Sequence, residues 1–166
     1  DDPLRRRGLR SRPFDGEGLE THETEIVCDG ILIGWLVDSA SGRQLGLAPT
    51  GHATRGGGGA PGSGTSNLHM TAGPDSTAAL MADIKYGIYV NELIGMGVNG
   101  LTGDYSRGAS GFLIVDGEIA GPVAEVTIAG NLREMFAAIV PANDLQFRYA
   151  TNVPTLRIDG MTLAGD

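Results

Sequence analysis

Between Asp104 and Ser110 the chain sets out a carboxylate, a phenol, two hydroxyls and a guanidinium, on Asp104, Tyr105, Ser106, Arg107 and Ser110. They fall in the run Gly95 to Gly111, where six of seventeen residues are glycine. Glycine lets a backbone take φ > 0 and pass close to other groups. Such a set suits binding. Arg107 can hold a peptide carboxylate or carbonyl, Asp104 can fix Arg107 by a charge-assisted pair, and the glycine amides can donate to an extended backbone. The candidate substrate contacts are Asp104, Tyr105, Ser106, Arg107, Gly108 and Ser110. The same composition also fits a long structural turn, in which Asp104 and Ser106 satisfy local backbone groups and Asp104 merely locks Arg107.

Apolar, strand-like runs flank this segment, Ile88 to Ile94 before it and Phe112 to Val115 after it. The expected arrangement is a long polar loop between two strands, with a strand edge beside it for β-addition. A plain hairpin needs only about 2–5 loop residues, so the extra length favours a site over a connector.

Other chemistries find less support. Ser106 or Ser110 as nucleophile would need a base such as His69 within reach, and no strand–turn–helix elbow surrounds either serine. Gly95-Met96-Gly97 followed by Val98-Asn99-Gly100 formally reads GxGxxG, but no helix is expected after it. A zinc peptidase site needs converging ligands, commonly two histidines on one helical turn. His22-Glu23 starts such a pattern and no second histidine follows, His52 lies in a loose loop, and His69 lies in a strand-like stretch. Cys28, beside a turn, reads as a small buried hydrophobe. No metal ligand set and no catalytic residue is expected within this chain.

The chain has 166 residues, enough for one domain burying roughly 70% of its unfolded surface. Net charge is -8, which argues against a nucleic-acid partner. Five arginines cluster at Arg5, Arg6, Arg7, Arg10 and Arg12, with acidic residues directly after them. That cluster reads as a solvated terminal segment, with docking on an acidic surface as the alternative. One cysteine excludes an intrachain disulfide and suits a reducing compartment. No apolar run approaches the ~20 residues that span a bilayer. The opening Asp1-Asp2-Pro3 suggests a fragment of a longer, cytoplasmic protein.

Residues 1–20 are polar and expected as an extended arm, and 49–65, with four consecutive glycines from Gly56, as a flexible loop. Asp29-Gly30, Asp116-Gly117 and Asp159-Gly160 each lie between apolar runs and predict three hairpins. Trp35 is expected in the core. Asp38 predicts a helix through Leu45 stopped near Gly46. Ser76 predicts another, carrying Leu80, Met81 and Ile84 to Gly87. Asn131 and Glu134 form a capping-box pattern ahead of a helix carrying Met135, Phe136, Ile139 and Val140 and ending at Pro141. The fold class is α+β, mainly antiparallel, with two or three short helices.

The segment Gly95 to Phe112 resembles the C-terminal signature of the TldD/PmbA metallopeptidases, once called modulators of DNA gyrase. Gly8 to Gly18, Leu45 to Arg55, Ser66 to Leu68, Glu125 to Met135 and Pro154 to Gly165 resemble the family in the same order, so the likeness covers nearly the whole chain. The phrase Gly103 to Gly108 is similar to the TldE (PmbA) branch, which lacks the HExxxH zinc helix of TldD. The resemblance implies a curved, barrel-like sheet and a heterodimer with a TldD-type subunit that supplies zinc and its general base, with self-association as the alternative. It implies peptides or unfolded proteins as substrates, with this chain shaping the cavity and holding substrate. A purely structural or interaction domain is the alternative. The net charge lends nothing to the gyrase name.

Overall fold

The computed structural model describes residues 1–165. In chain order the elements begin with strands β1 (Val27–Cys28) and β2 (Ile31–Leu32), helix α1 (Ser39–Leu45), and strands β3 (Ala53–Thr54), β4 (Gly62–Ser63) and β5 (Leu68–His69). Helix α2 (Thr77–Met81) leads into strands β6 (Tyr86–Ile94), β7 (Asp104–Val115) and β8 (Glu118–Asn131). Helix α3 (Leu132–Ala137) and strands β9 (Ile139–Pro141), β10 (Thr151–Asn152), β11 (Leu156–Ile158) and β12 (Thr162–Ala164) close the chain. Two compact units result: Asp1–Met70 with Gln146–Val153, and Thr71–Leu145 with Pro154–Asp166.

The second unit is built on an antiparallel sheet of order β12-β8-β7-β6. Asp116 (φ 48°) and Gly117 (φ 83°) join β7 to β8 with both central residues at positive φ, as a two-residue type I′ turn requires. Ala109, Val126 and Ile128 form the buried centre, with Ile88, Val90, Tyr105, Val123, Met161 and Leu163 packed around it. Glu125 (φ 57°) lies where the β7–β8 register shifts, the kind of irregularity that bends a strand. The sheet is open, with β6 and β12 at its edges, so the described residues contain no closed barrel.

Two helices of this unit are shorter than their apolar spacing suggests. Helix α2 ends at Met81 because the carbonyls of Ile84 and Lys85 accept instead from the amides of Gly117 and Asp116, at 2.8 and 3.1 Å. Helix α3 is capped at Asn131, whose side chain accepts from the Arg133 amide. It gives way to β9, in which Val140 and Ile139 pair with Arg157 and Ile158. Those β-branched residues fit a pleated ladder better than a last helical turn. Asp159-Gly160 does turn the chain, but β11 pairs with β9 and β12 with β8, so it closes no hairpin.

The first unit has little regular structure. Asp29 (φ 48°) and Gly30 (φ 77°) make the β1–β2 hairpin. Asp38 caps α1 through the Ser41 amide at 2.7 Å, and Gly46 (φ 71°) ends it in the left-handed region. Trp35 is 67% exposed, against the expectation of a core residue. Residues 49–65 are partly ordered by pairing: β3 and β4 form an antiparallel ladder, and His52 and Ala53 are buried. The first twenty residues form successive turns instead of an extended arm. Asp15 Oδ1 accepts from the amides of Glu17 and Leu19, and its Oδ2 accepts from Ala53.

Candidate functional site

The segment expected as a loop is mostly strand. Asp104, Tyr105, Ser106, Arg107, Gly108 and Ser110 all lie in β7, so the connector shrinks to residues 95–103. Even that part continues the hairpin. Val98 bridges Tyr105, the Ser106 amide donates to the Gly97 carbonyl at 2.7 Å, and the Asn99 amide donates to the Asp104 carbonyl at 2.9 Å. The tip is closed by Asn99, whose Oδ1 accepts from Leu101 and Thr102. Two of the glycines that suggested a loop mark close approach instead. A Cβ on Gly97 would lie 1.7 Å from the Ser106 carbonyl oxygen, and one on Gly111 2.0 Å from that of Tyr89.

A strand sends successive side chains to opposite faces, so the six candidates divide. Asp104, Ser106, Gly108 and Ser110 share one face, and Tyr105 and Arg107 share the other with buried Ala109. On the first face Asp104 and Ser106 are exposed, and Glu92 of β6 stands opposite Ser110. The Thr102 hydroxyl donates to Asp104 Oδ2 at 2.6 Å, and Asn131 Nδ2 donates to the Thr102 carbonyl at 3.0 Å. On the second face Arg107 is half-buried. Its Nη2 donates to the Leu93 carbonyl at 3.1 Å, and its Nε is buried without a hydrogen-bond partner. The expected Asp104–Arg107 pair does not form, because three residues along a strand put the two on opposite faces.

This arrangement offers a polar row that starts at Ser110, opposite Glu92 of the nine-residue edge strand β6, and runs past the end of β6 to Ser106 and Asp104, which face Gly97 and Asn99 of the connector. An edge strand presents backbone donors and acceptors to an extended peptide. Glu92 and Asn131 complete the surroundings of the row. Neither was legible as a site residue, since each arrives on a neighbouring strand through sheet register.

The histidines and the cysteine do not converge. His22 is exposed, and Cys28 is half-buried in the β1–β2 hairpin, short of the full burial expected. The Glu25 carboxylate beside Cys28 pushes its thiol up, toward the protonated form. His52 is buried, with Nδ1 2.9 Å from the Thr50 hydroxyl and Nε2 3.5 Å from Asp1 Oδ2. Burial holds its imidazole below 6.5. The His69 ring packs edge-on against Phe147 at 5.2 Å. No group of three His, Cys, Asp or Glu side chains is placed to hold a metal among the described residues.

Comparison with known proteins gives a consistent picture. Residues 1–165 match the PmbA/TldA metallopeptidase C-terminal domain. The chain is 42% identical over 160 residues to the metalloprotease PmbA of Escherichia coli O157:H7, covering 96% of this chain and 34% of that protein. It is 42% identical over 165 residues to a metalloprotease PmbA homolog of Haemophilus influenzae, with the same coverage of 96% and 34%. Among solved structures, TldE from Thermococcus kodakarensis superposes with a TM-score of 0.87 at 26% identity, over 99% of this chain and 39% of that one. A candidate modulator of DNA gyrase from Thermotoga maritima gives 0.84 at 32% identity, over 99% and 38%. The chain thus spans about a third of the length of the curated relatives it matches.

Proposed function

Since the chain belongs to the PmbA/TldD metallopeptidase C-terminal domain family, we propose that it serves a TldE (PmbA)-type subunit of a cytoplasmic zinc metallopeptidase acting on peptides or unfolded proteins. In this reading a TldD-type partner holds the zinc and its general base in a heterodimer. This chain contributes substrate binding and one wall of the cavity, and no catalytic residue.

One observation carries the proposal: Ser110, Ser106 and Asp104 form a polar row on one face of β7 that starts opposite Glu92 of the edge strand β6. A peptide added along that edge would gain main-chain hydrogen bonds, with side-chain discrimination left to groups on alternate faces. Tyr105 and Arg107 act from the opposite face. Arg107 ties β7 to the Leu93 carbonyl and so holds the row in place.

The test is cleavage of a denatured protein by the full-length protein, alone and with a TldD-type subunit. Cleavage is expected only with both present. Ser106→Arg, which fills the row with a long side chain at an exposed position, should lower cleavage about tenfold or more while stability changes by about 0.5 kcal/mol or less. Unchanged cleavage by that variant would favour the second reading, an interaction domain outside the cavity.

A further inference from the structure

Arg5, Arg7 and Arg148 line one cleft of about 100 Å³ in the first unit, together with Asn67, Phe147 and Tyr149. No carboxylate forms a salt bridge with any of these three arginines among the described residues, and Arg148 Nη2 donates to Gln146 Oε1. Their gathering in a chain of net charge -8 is a local feature of this fold, not a result of overall basicity.

A buried asparagine holds each wall. Asn67, 2% exposed, accepts from the Arg10 amide at 3.0 Å, and its Nδ2 donates to the Asp2 carbonyl at 2.9 Å and the Ser11 hydroxyl at 3.0 Å. These bonds fold the arginine-rich arm into a compact loop. Arg7 sits there at φ 60°, a left-handed conformation uncommon outside glycine. Gly8 leaves no room for a side chain, since a Cβ would lie 2.6 Å from Asn67 Nδ2. On the other wall Asn152, 6% exposed, accepts from the amides of Arg148 and Tyr149 at 2.8 and 2.9 Å and donates to the Tyr149 carbonyl at 2.7 Å. The Arg5 guanidinium lies 3.2 Å from the centre of the Phe147 ring, and the His69 ring meets Phe147 edge-on. Such a stack fixes the plane of the guanidinium fork before any ligand arrives.

We propose that this cleft binds the C-terminal carboxylate of a peptide, with Arg5 and Arg148 gripping the oxygens and Tyr149 and Phe147 receiving the terminal side chain. A guanidinium fork matches a carboxylate in two parallel hydrogen bonds. The cleft is far smaller than the roughly 300–1,000 Å³ pockets that enclose whole small ligands, so it suits the end group of a longer chain. The inference rests on the reading of this protein as one that handles peptides.

Calorimetric titration of the full-length protein decides the matter. The probes are an acetylated tetrapeptide ending in Phe as free acid, the same peptide as its C-terminal amide, and inorganic phosphate. The free acid is expected to bind about tenfold or more tightly than the amide. Arg5→Gln combined with Arg148→Gln should erase that difference, and Arg133→Gln should preserve it. Arg148→Lys, a milder change should the double variant fail to fold, keeps the charge but loses the fork and should lose most of the preference. Equal affinity for acid and amide, or a preference that survives loss of the arginines, overturns the proposal. So does phosphate binding that the free-acid peptide cannot displace. An acid preference in a protein that cleaves no peptide would remove the peptidase reading and leave this site standing, whereas cleavage without the preference would do the reverse.

Discussion

The two units bury different things. All eight buried polar or charged side chains among the described residues lie in the first unit, from Asp1 and Asp15 to Asn67 and Asn152. Seven of the nine buried apolar residues lie in the second, around Ala109, Val126 and Ile128. The second unit satisfies its backbone by strand ladders, which leaves side chains free to be apolar. The first has ladders only two residues long, so its backbone groups must find side-chain partners. Asp15, Asp38, Asn67 and Asn152 supply them. A buried carboxylate or amide in this protein is therefore first a substitute for secondary structure.

Breaking each unit by its own logic should separate them most clearly. The largest effect is expected from Gly111→Ala in the second unit. The added methyl would lie 2.0 Å from the Tyr89 carbonyl oxygen and 3.0 Å from the Asn91 amide nitrogen, both backbone atoms that cannot swing away. β6 and β7 must part, at a cost of about 3 kcal/mol or more. Urea unfolding of the full-length protein would show it, and a loss below 1 kcal/mol would mean that the ladder yields more easily than its register suggests.

Asp15→Ala should come next. It leaves the amides of Glu17, Leu19 and Ala53 without their acceptor, and Asp15 itself is 8% exposed. One buried unsatisfied donor costs about 1–3 kcal/mol, and water can reach the two amides on the turn. A net loss of about 2 kcal/mol is expected, with hydrogen exchange quickening in the first unit and unchanged along β7 and β8. Equal quickening in both units would refute the division of labour.

The smallest effect is one of pH. Burial holds the His52 imidazole below 6.5, so the folded state keeps it neutral where the unfolded chain would take a proton. A depressed value means that its contribution is complete above pH 6.5 and is lost as pH falls through the folded value, at no more than about 1.4 kcal/mol per pH unit for one proton. Asp15 follows at lower pH. Burial works to raise it, but the amides of Glu17, Leu19 and Ala53 hold it below 3.8, and its contribution fades below that value. Exchange protection of the first unit, corrected for intrinsic rates, should fall between pH 7 and pH 5 while the second unit holds. His52→Gln should flatten that fall.

Features decided within a few residues were legible from the chain. Asp29-Gly30 and Asp116-Gly117 turn as their residue types demand, and Asp38, Ser76 and Asn131 cap helices from within three residues. The family resemblance was legible too, because it resides in the order of residues. What the sequence could not disclose is decided between distant residues. Asp159-Gly160 has turn chemistry yet closes no hairpin, since its two strands find partners in β9 and β8. Arg107 and Asp104 look paired by spacing, and only the pairing of this segment with β8 makes it a strand, whose alternation over three residues sends them to opposite faces. Likewise Arg5 and Arg148 lie far apart in sequence and meet through the clamps of Asn67 and Asn152. Turns and caps are closed by local hydrogen bonds whose geometry a few side chains dictate. Strand register and the walls of a cleft depend on which remote partner offers the lower free energy, and that choice exists only in the folded chain.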